Sequence, residues 1–348
     1  MREEKAATTV RPRTPQGRAT AVAHPNIALI KYWGKRDERL FLPWTDSLSM
    51  TLDIFPTTTS VRLDAEAEQD EVTLNGAPAT GEARRRVVAF LDLVRERAGL
   101  SRRAVVDTEN TVPTGAGLAS SASGFAALAV AAATAYGLDL DATGLSRLAR
   151  RGSGSASRSV HGDFVVWHAG RTTGTDEDAD LGSYAEPVPS AGLDPTLVIA
   201  VVDAGPKTVS SRAAMRSTVD TSPLYRPWAA SSTADLAEMR TALRRGDLEA
   251  VGEIAERNAL GMHATMLAAR PAVRYLSAAT LTVLDSVLQL RREGVSAYAT
   301  MDAGPNVKVL CHRTDADQVA AAVCAAAPGT AVHVARPGPG ARLLNEDG

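Results

Sequence analysis

Asn110-Thr-Val-Pro-Thr-Gly-Ala-Gly-Leu-Ala-Ser-Ser-Ala-Ser123 runs directly into Gly124-Phe-Ala-Ala-Leu-Ala-Val-Ala-Ala-Ala-Thr-Ala-Tyr136. Pro113, Gly115 and Gly117 break regular structure and permit turns that a side chain would block. The residues that follow are Ala-rich and almost wholly apolar, so a glycine turn feeds a buried helix. Ser120, Ser121 and Ser123 stand at the start of that helix, where unpaired N–H groups, the positive end of the helix dipole and small hydroxyls converge. The chemistry points to an anion, phosphate above all. Close packing of small residues would give a similar pattern. No Gly-Lys-Ser/Thr follows the turn, and Ser120 takes the last position of a would-be Gly-x-Gly-x-x-Gly, so neither a Walker loop nor a Rossmann fingerprint is present.

The 348 residues suggest about two domains. A formal net charge of −2 gives no general attraction to nucleic acid or to an anionic membrane. Cys311 and Cys324 are the only cysteines, too few for a disulfide framework or a cysteine metal site, and a cytoplasmic location is expected. Residues 1–18 mix Arg, Glu, Lys, Thr and Pro with no apolar core; they are expected to form a disordered tail, neither signal peptide nor anchor. Apolar runs such as Ala126 to Ala133 are too short to span a bilayer.

Ala19 to Tyr32 reads as strand-like, interrupted at His24-Pro25-Asn26, and delivers Lys31-Tyr-Trp-Gly-Lys35, which is either a phosphate clamp or a solvated turn. Leu48–Leu52 and Thr57–Leu63 alternate as strands, Asn75-Gly76 marks a tight hairpin, and 83–98 is an amphipathic helix with arginines on its wet face. Strand 102–109 leads into the glycine turn, and a helix over 142–151 precedes Gly152-Ser-Gly-Ser-Ala-Ser-Arg158. That run is short and Phe164-Val-Val-Trp167 follows at once, which favours a second anion-handling turn over a linker. Leu197–Val202 is a buried strand, and Lys207-Thr-Val-Ser-Ser-Arg212 brings more cations and hydroxyls. Pro187, Pro189 and Pro195 mark a boundary, giving expected domains 19–190 and 191–348. The second half is mostly helical, at 235–245, 248–268 and 272–293; His263 falls in a Met-containing stripe that reads as core. Ser296–Met301 and Val307–Leu310 read as antiparallel strands joined by Asp302-Ala-Gly-Pro-Asn306, where an acid either forms the turn or is exposed on a rigid base.

The glycine loop is similar to the phosphate-wrapping motif Pro-x-x-x-Gly-Leu-x-Ser-Ser of the galactokinase, homoserine kinase, mevalonate kinase and phosphomevalonate kinase superfamily. Together with His24–Lys35, Arg151–Arg158, Val209-Ser-Ser-Arg212 and Met301–Asn306 it resembles the diphosphomevalonate decarboxylase family over roughly residues 19 to 346. That resemblance implies an α+β, two-domain small-molecule-kinase-superfamily fold. The N-terminal domain would be like the second domain of ribosomal protein S5, the C-terminal domain ferredoxin-like α+β, and the active site would lie in the cleft between them. It implies ATP-dependent decarboxylation of mevalonate 5-diphosphate, with ATP as co-substrate, Mg²⁺, and a homodimer. Asp302 would lie beside the reacting hydroxyl, as base or as stabiliser of a positive carbon, Arg158 would clamp the substrate carboxylate, and Ser211 would orient the substrate. Lys31, Tyr32, Lys35, Ser153, Gly154, Ser155 and Arg212 would hold the diphosphate. Asn110, Pro113, Gly115, Gly117, Leu118, Ala119, Ser120, Ser121 and Ser123 would bind ATP, Ser120 also touching the metal. Asp46, His161, Asp163 and Asp203 depart from the family's pattern. Facing the cleft, the acids would repel a diphosphate and suit a less anionic 3-hydroxy acid; facing elsewhere, they would mean little.

Overall fold

His24-Pro25 divides the first strand-like run between two sheets, because Pro25 has no N–H for a ladder. The computed structural model describes residues 11–12, 14–112, 120–171, 173–205 and 209–344. Strand Arg18–Ala23 lies in a six-stranded sheet and Asn26–Ile30 in a separate four-stranded one. The six-stranded sheet runs Arg342–Leu344, Arg18–Ala23, Thr57–Asp64, Arg103–Asn110, Glu71–Leu74, Ala77–Pro78. Its pairings are antiparallel except where Arg103–Asn110 runs parallel to Glu71–Leu74. Asn75 and Gly76, at φ of 50° and 75°, close the tight hairpin that an Asn-Gly pair favours.

Helix Ser120–Tyr136 packs on this sheet against Arg18–Ala23 and Thr57–Asp64. Ala126, Ala127, Ala129, Ala131 and Ala132 are fully buried, so the helix needs no polar stripe. Helices Gly81–Ala98 and Ala142–Gly152 flank it, the latter capped by Asp141 accepting from the Gly144 N–H at 2.7 Å.

The second sheet orders Ala185–Pro187, Phe164–Trp167, Ser47–Thr51 and Asn26–Ile30, and the third orders Ala297–Met301, Val307–His312, Pro195–Val201 and Ala331–Ala335. Ile27, Leu48, Met50 and Phe164 of the second share one apolar cluster with Leu197, Ile199 and Leu310 of the third and with Met239, Leu243 and Ile254 of helices Tyr225–Arg245 and Leu248–Leu267. The two halves of the chain are therefore joined by packed core, which gives anything built across them a stiff base. The other face of the third sheet is covered by Ala278–Arg292 and Ala316–Ala326.

Several boundaries differ from the sequence reading. The helix placed at 235 starts at Tyr225, because Pro227 falls in its first turn, where no N–H bond is lost. The helix placed at 272 starts at Ala278, after Pro271 and a capping box between Ser277 and Thr280. Helix Ser211–Thr221, capped by Ser210, was read only as a run of cations and hydroxyls. Within the expected disordered tail, Arg11–Pro12 pairs with Leu138–Asp139. The last described strand, Arg342–Leu344, returns to the N-terminal sheet, and the Gly338 N–H donates to the Thr51 carbonyl at 2.8 Å. No described helix is long and apolar enough to cross a membrane.

Candidate active site

A cavity of about 270 Å³ opens where the second sheet and the helices covering the first meet the third sheet and the C-terminal helices. Lys31, Tyr32 and Lys35 reach it from the turn after Asn26–Ile30, and Ser153, Gly154, Ser155 and Arg158 from the Ser-Gly run. Ser211 and Arg212 reach it from the first turn of Ser211–Thr221, and Asp302 from the end of Ala297–Met301. Four separate segments thus converge, and Asp302 is the one acid among the described lining residues.

The inner end is tightly bonded. Lys31 Nζ donates to Asp302 Oδ1 at 2.8 Å, and Lys308 Nζ lies 3.3 Å from Oδ2. Burial raises the Asp302 carboxyl, but the two ammoniums outweigh it and hold the group far below the usual carboxylate range. Burial lowers Lys31, with Asp302 opposing. Arg158 is 2% exposed and makes only neutral contacts: Nη1 to Ser47 Oγ at 2.6 Å, Nε to Ser49 Oγ at 3.0 Å and Nη2 to Asn26 Oδ1 at 3.3 Å. No ion pair joins it to a carboxylate among the described residues, and burial pushes it down to about 10. It therefore has no bonded counter-ion among the described residues, Asp302 acting on it only through space, and it is placed to take an anion. The Tyr32 ring stands edge-on to Trp167, centroids 4.8 Å apart, and its buried hydroxyl has no hydrogen-bond partner among the described residues. A Cβ on Gly154 would meet Trp167 at 2.8 Å and that hydroxyl at 2.9 Å, so only glycine leaves the tyrosine in place.

The outer rim is built otherwise. Lys35 Nζ donates to Glu38 at 2.6 Å, and Arg212 Nη1 to Glu82 at 3.0 Å. Gly34, at φ 100°, sets the turn that carries Lys35; a Cβ there would strike the Tyr225 hydroxyl, which donates to the Trp33 carbonyl at 2.7 Å.

A second cavity, of about 230 Å³, lies against the start of Ser120–Tyr136 and is lined by Asn110, Ser120 and Ser121 beside apolar Val72, Leu74 and Phe125. Ser121 and Arg86 line both cavities, and Ser121 Oγ is 3.2 Å from Ser153 Oγ. Arg86 donates to the Gly152 carbonyl at 2.9 Å and lies over the Phe125 ring. Ser123 is turned away: fully buried, its Oγ is 2.7 Å from Thr57 Oγ1, because it falls on the inward face of the helix. Pro113, Gly115, Gly117, Leu118 and Ala119, like Lys207, lie outside the described residues.

The four departing positions do not line either cavity. Asp46 accepts from the Ala169 N–H at 2.7 Å and pairs with His168 at 3.5 Å; His161 Nε2 is 2.9 Å from the Ala185 carbonyl; Asp203 caps Gly205 N–H at 2.7 Å. Asp163, at φ 56°, is tied through its backbone to Thr51 and Gly338. The condition for repelling a diphosphate is therefore not met. His263 is 2% exposed, and burial together with Lys31 pushes it down to about 4, keeping it neutral. Sequence reasoning missed Lys308 and Arg86. Lys308 had a signal, a lysine in the apolar strand Val307-Lys-Val-Leu310, whereas Arg86 reads like its wet-faced neighbours.

Fold and cleft define a two-domain α+β protein of the small-molecule-kinase superfamily. A family model for the diphosphomevalonate decarboxylase-like N-terminal domain matches residues 23–179, and one for the mevalonate 5-diphosphate decarboxylase C-terminal domain matches 197–337. The chain belongs to the diphosphomevalonate decarboxylase family. It is 39% identical to diphosphomevalonate decarboxylase mvd1 of Aspergillus fumigatus, covering 88% of this chain and 80% of that protein. With the human diphosphomevalonate decarboxylase it shares 38%, over 85% of this chain and 77% of that one. The solved Staphylococcus aureus mevalonate diphosphate decarboxylase superposes with a TM-score of 0.90 at 39% identity, covering 94% of this chain and 98% of that chain.

Proposed function

We propose that the chain catalyses ATP-dependent decarboxylation of mevalonate 5-diphosphate to isopentenyl diphosphate, with ADP, phosphate and carbon dioxide as the other products, in the mevalonate route to isoprenoids. The observation that carries this reading is the inner end of the cleft. One ionised carboxylate, Asp302, and one buried guanidinium, Arg158, that forms no ion pair among the described residues line a single cavity that shares Ser121 and Arg86 with a second cavity at a helix N-terminus.

A tertiary alcohol is a crowded nucleophile, so its phosphorylation depends on positioning and charge neutralisation. In this reading the hydroxyl donates to Asp302, Ser211 orients it, and Arg158 grips the carboxylate through its planar fork. Lys31, Tyr32, Lys35, Ser153, Gly154, Ser155 and Arg212 hold the diphosphate, with the unpartnered Tyr32 hydroxyl as a ready donor. The C–O bond at the tertiary carbon then breaks with its electrons leaving on phosphate, and the C–C bond to the carboxylate supplies the pair that forms the alkene as carbon dioxide departs. Adenosine takes the second cavity, and the glycine loop with Asn110, Ser120 and Ser121 holds its phosphates. A similar solved structure, 42% identical, is described as a complex with MVAPP, AMPPCP and magnesium. Among the described residues no cluster of three or more His, Cys, Asp or Glu could cage a metal. Hydroxyls such as that of Ser120, together with phosphate oxygens, are hard donors that fit magnesium, which keeps its waters and supplies charge neutralisation when bound.

We further propose a division near residue 190 into two domains, a cytoplasmic location and a homodimer. The test of function is stoichiometric. ADP and carbon dioxide should form one for one from mevalonate 5-diphosphate and not from mevalonate or its monophosphate. Preference for either of those would overturn the assignment of substrate.

A further inference from the structure

Strand Val307–His312 alternates as a sheet strand should: Val307, Val309 and Cys311 enter the core beneath the two covering helices, and Leu310 enters the core on the other face. Lys308 has the register of Leu310, opposite Thr300 and Ile199, and is 1% exposed. A charged residue at an inward strand position is costly unless it is paired, and such violations of pattern gather at functional sites. Its ammonium lies 3.3 Å from Asp302 Oδ2, while Lys31 takes Oδ1 at 2.8 Å. The two lysines divide the carboxylate, one oxygen each, and approach from opposite halves of the chain.

They are not equivalent. Lys31 lines the cavity and, on the reading above, also serves the substrate's diphosphate; Lys308 does not line it. We propose that Lys308 is a positioning residue: it holds Asp302 ionised and aimed at the reacting hydroxyl throughout the cycle, including when substrate draws on Lys31. The other titratable groups around the acid, Arg158 and the neutral His263, offer no competing anion. A carboxylate so held is a weak base and a good fixed anion. The hydroxyl proton then passes to an oxygen of the transferred phosphoryl group, and Asp302 faces the carbon as it becomes electron-deficient. The inference rests on the proposed function and goes beyond it.

The test uses the full chain with ATP and mevalonate 5-diphosphate. Lys308→Met should lower kcat 10- to 100-fold and change KM less than threefold. It should also bring an acid limb into the pH profile of kcat that the wild type lacks, because one of the two ammoniums depressing Asp302 is gone. Lys308→Arg, which keeps the charge, should retain the flat profile. With Asp302→Asn already made, adding Lys308→Met should cost less than threefold more, because the group through which Lys308 acts is gone; Lys308→Gln, which loses the charge but can still donate to the carboxylate, serves if Lys308→Met does not fold. A wild-type kcat and flat profile in Lys308→Met, a rise in KM alone, or a full 10- to 100-fold further loss in the double variant would each overturn the proposal. A wild-type protein that does not turn over mevalonate 5-diphosphate would instead sink the proposed function.

Discussion

The inner and outer ends of the cleft use the same kinds of residue to different effect. At the inner end Lys31, Lys308 and Arg158 are at most 2% exposed and are held by strands and by the hydroxyls of Ser47 and Ser49. At the rim Arg212 is paired with Glu82, and the two side chains are 42% and 64% exposed. A charge pair sheltered from water acts through a low effective dielectric and is little screened, whereas an exposed pair contributes at most about 1 kcal/mol. Burial, more than residue type, decides which of these groups can govern a reaction.

Asp302→Asn is the strongest way to break that contrast. It removes the anion facing the reacting carbon and leaves two buried ammoniums unmatched, so kcat should fall by roughly 10²- to 10³-fold. Thermal unfolding should show a loss of stability as well, because removing one member of a buried ion cluster strands the others. An Asn variant with turnover within tenfold of wild type would show that the inner end is no more than a structural ion cluster. Arg158→Lys comes next. Lysine keeps the charge but cannot span Ser47, Ser49, Asn26 and a carboxylate at once, so kcat/KM should drop on the order of 10- to 100-fold. Steady-state kinetics showing less than a threefold drop would mean that charge alone, without the fork, suffices.

How far the sequence disclosed this arrangement depends on the kind of signal. Strand Phe164–Trp167 and the Asn75-Gly76 turn were legible because local pattern and backbone chemistry determine them. The segments that meet in the cleft were legible as motifs, each with its own excess of hydroxyls or cations. The shared core of Ile27, Leu197 and Leu243 was not, because periodicity shows that a face is apolar but not what it packs against. The same limit hid where Asp46, His161 and Asp163 point. Helix Ser211–Thr221 was missed because its first turn is polar and its apolar face is narrow, with only Ala214 and Thr218 buried.

The rim should give smaller effects of opposite sign. Glu82 neutralises Arg212, so Glu82→Gln should lower KM for mevalonate 5-diphosphate two- to fivefold, and added salt should erase the gain. An increase in KM would mean that Glu82 orients Arg212 instead of competing for it.

Asp46 supplies the smallest effect, from an acid outside the cleft altogether. Hydrogen bonding to Asp46, and secondarily to Glu186, raises His168 above its ordinary value against the effect of burial. A group whose folded pKa exceeds its unfolded one contributes stability that is full below the unfolded value, about 6.5 for histidine, and is lost as pH rises through the folded value. Asp46 itself is lowered, burial being outweighed by His168 and the Ala169 N–H, so it stays ionised down to the acid range. Asp46→Asn keeps an acceptor for that N–H and loses only the charge. It should therefore destabilise the protein by about 1 kcal/mol or less at pH 6, and by less at pH 9, where His168 is neutral in either protein. Turnover should stay within twofold at both pH values, since Asp46 lines neither cavity. Denaturant unfolding and initial rates at the two pH values decide it. A tenfold change in KM for mevalonate 5-diphosphate would mean that this acid acts on the cleft through His168, and the contrast between buried and exposed charge would need a third, long-range class.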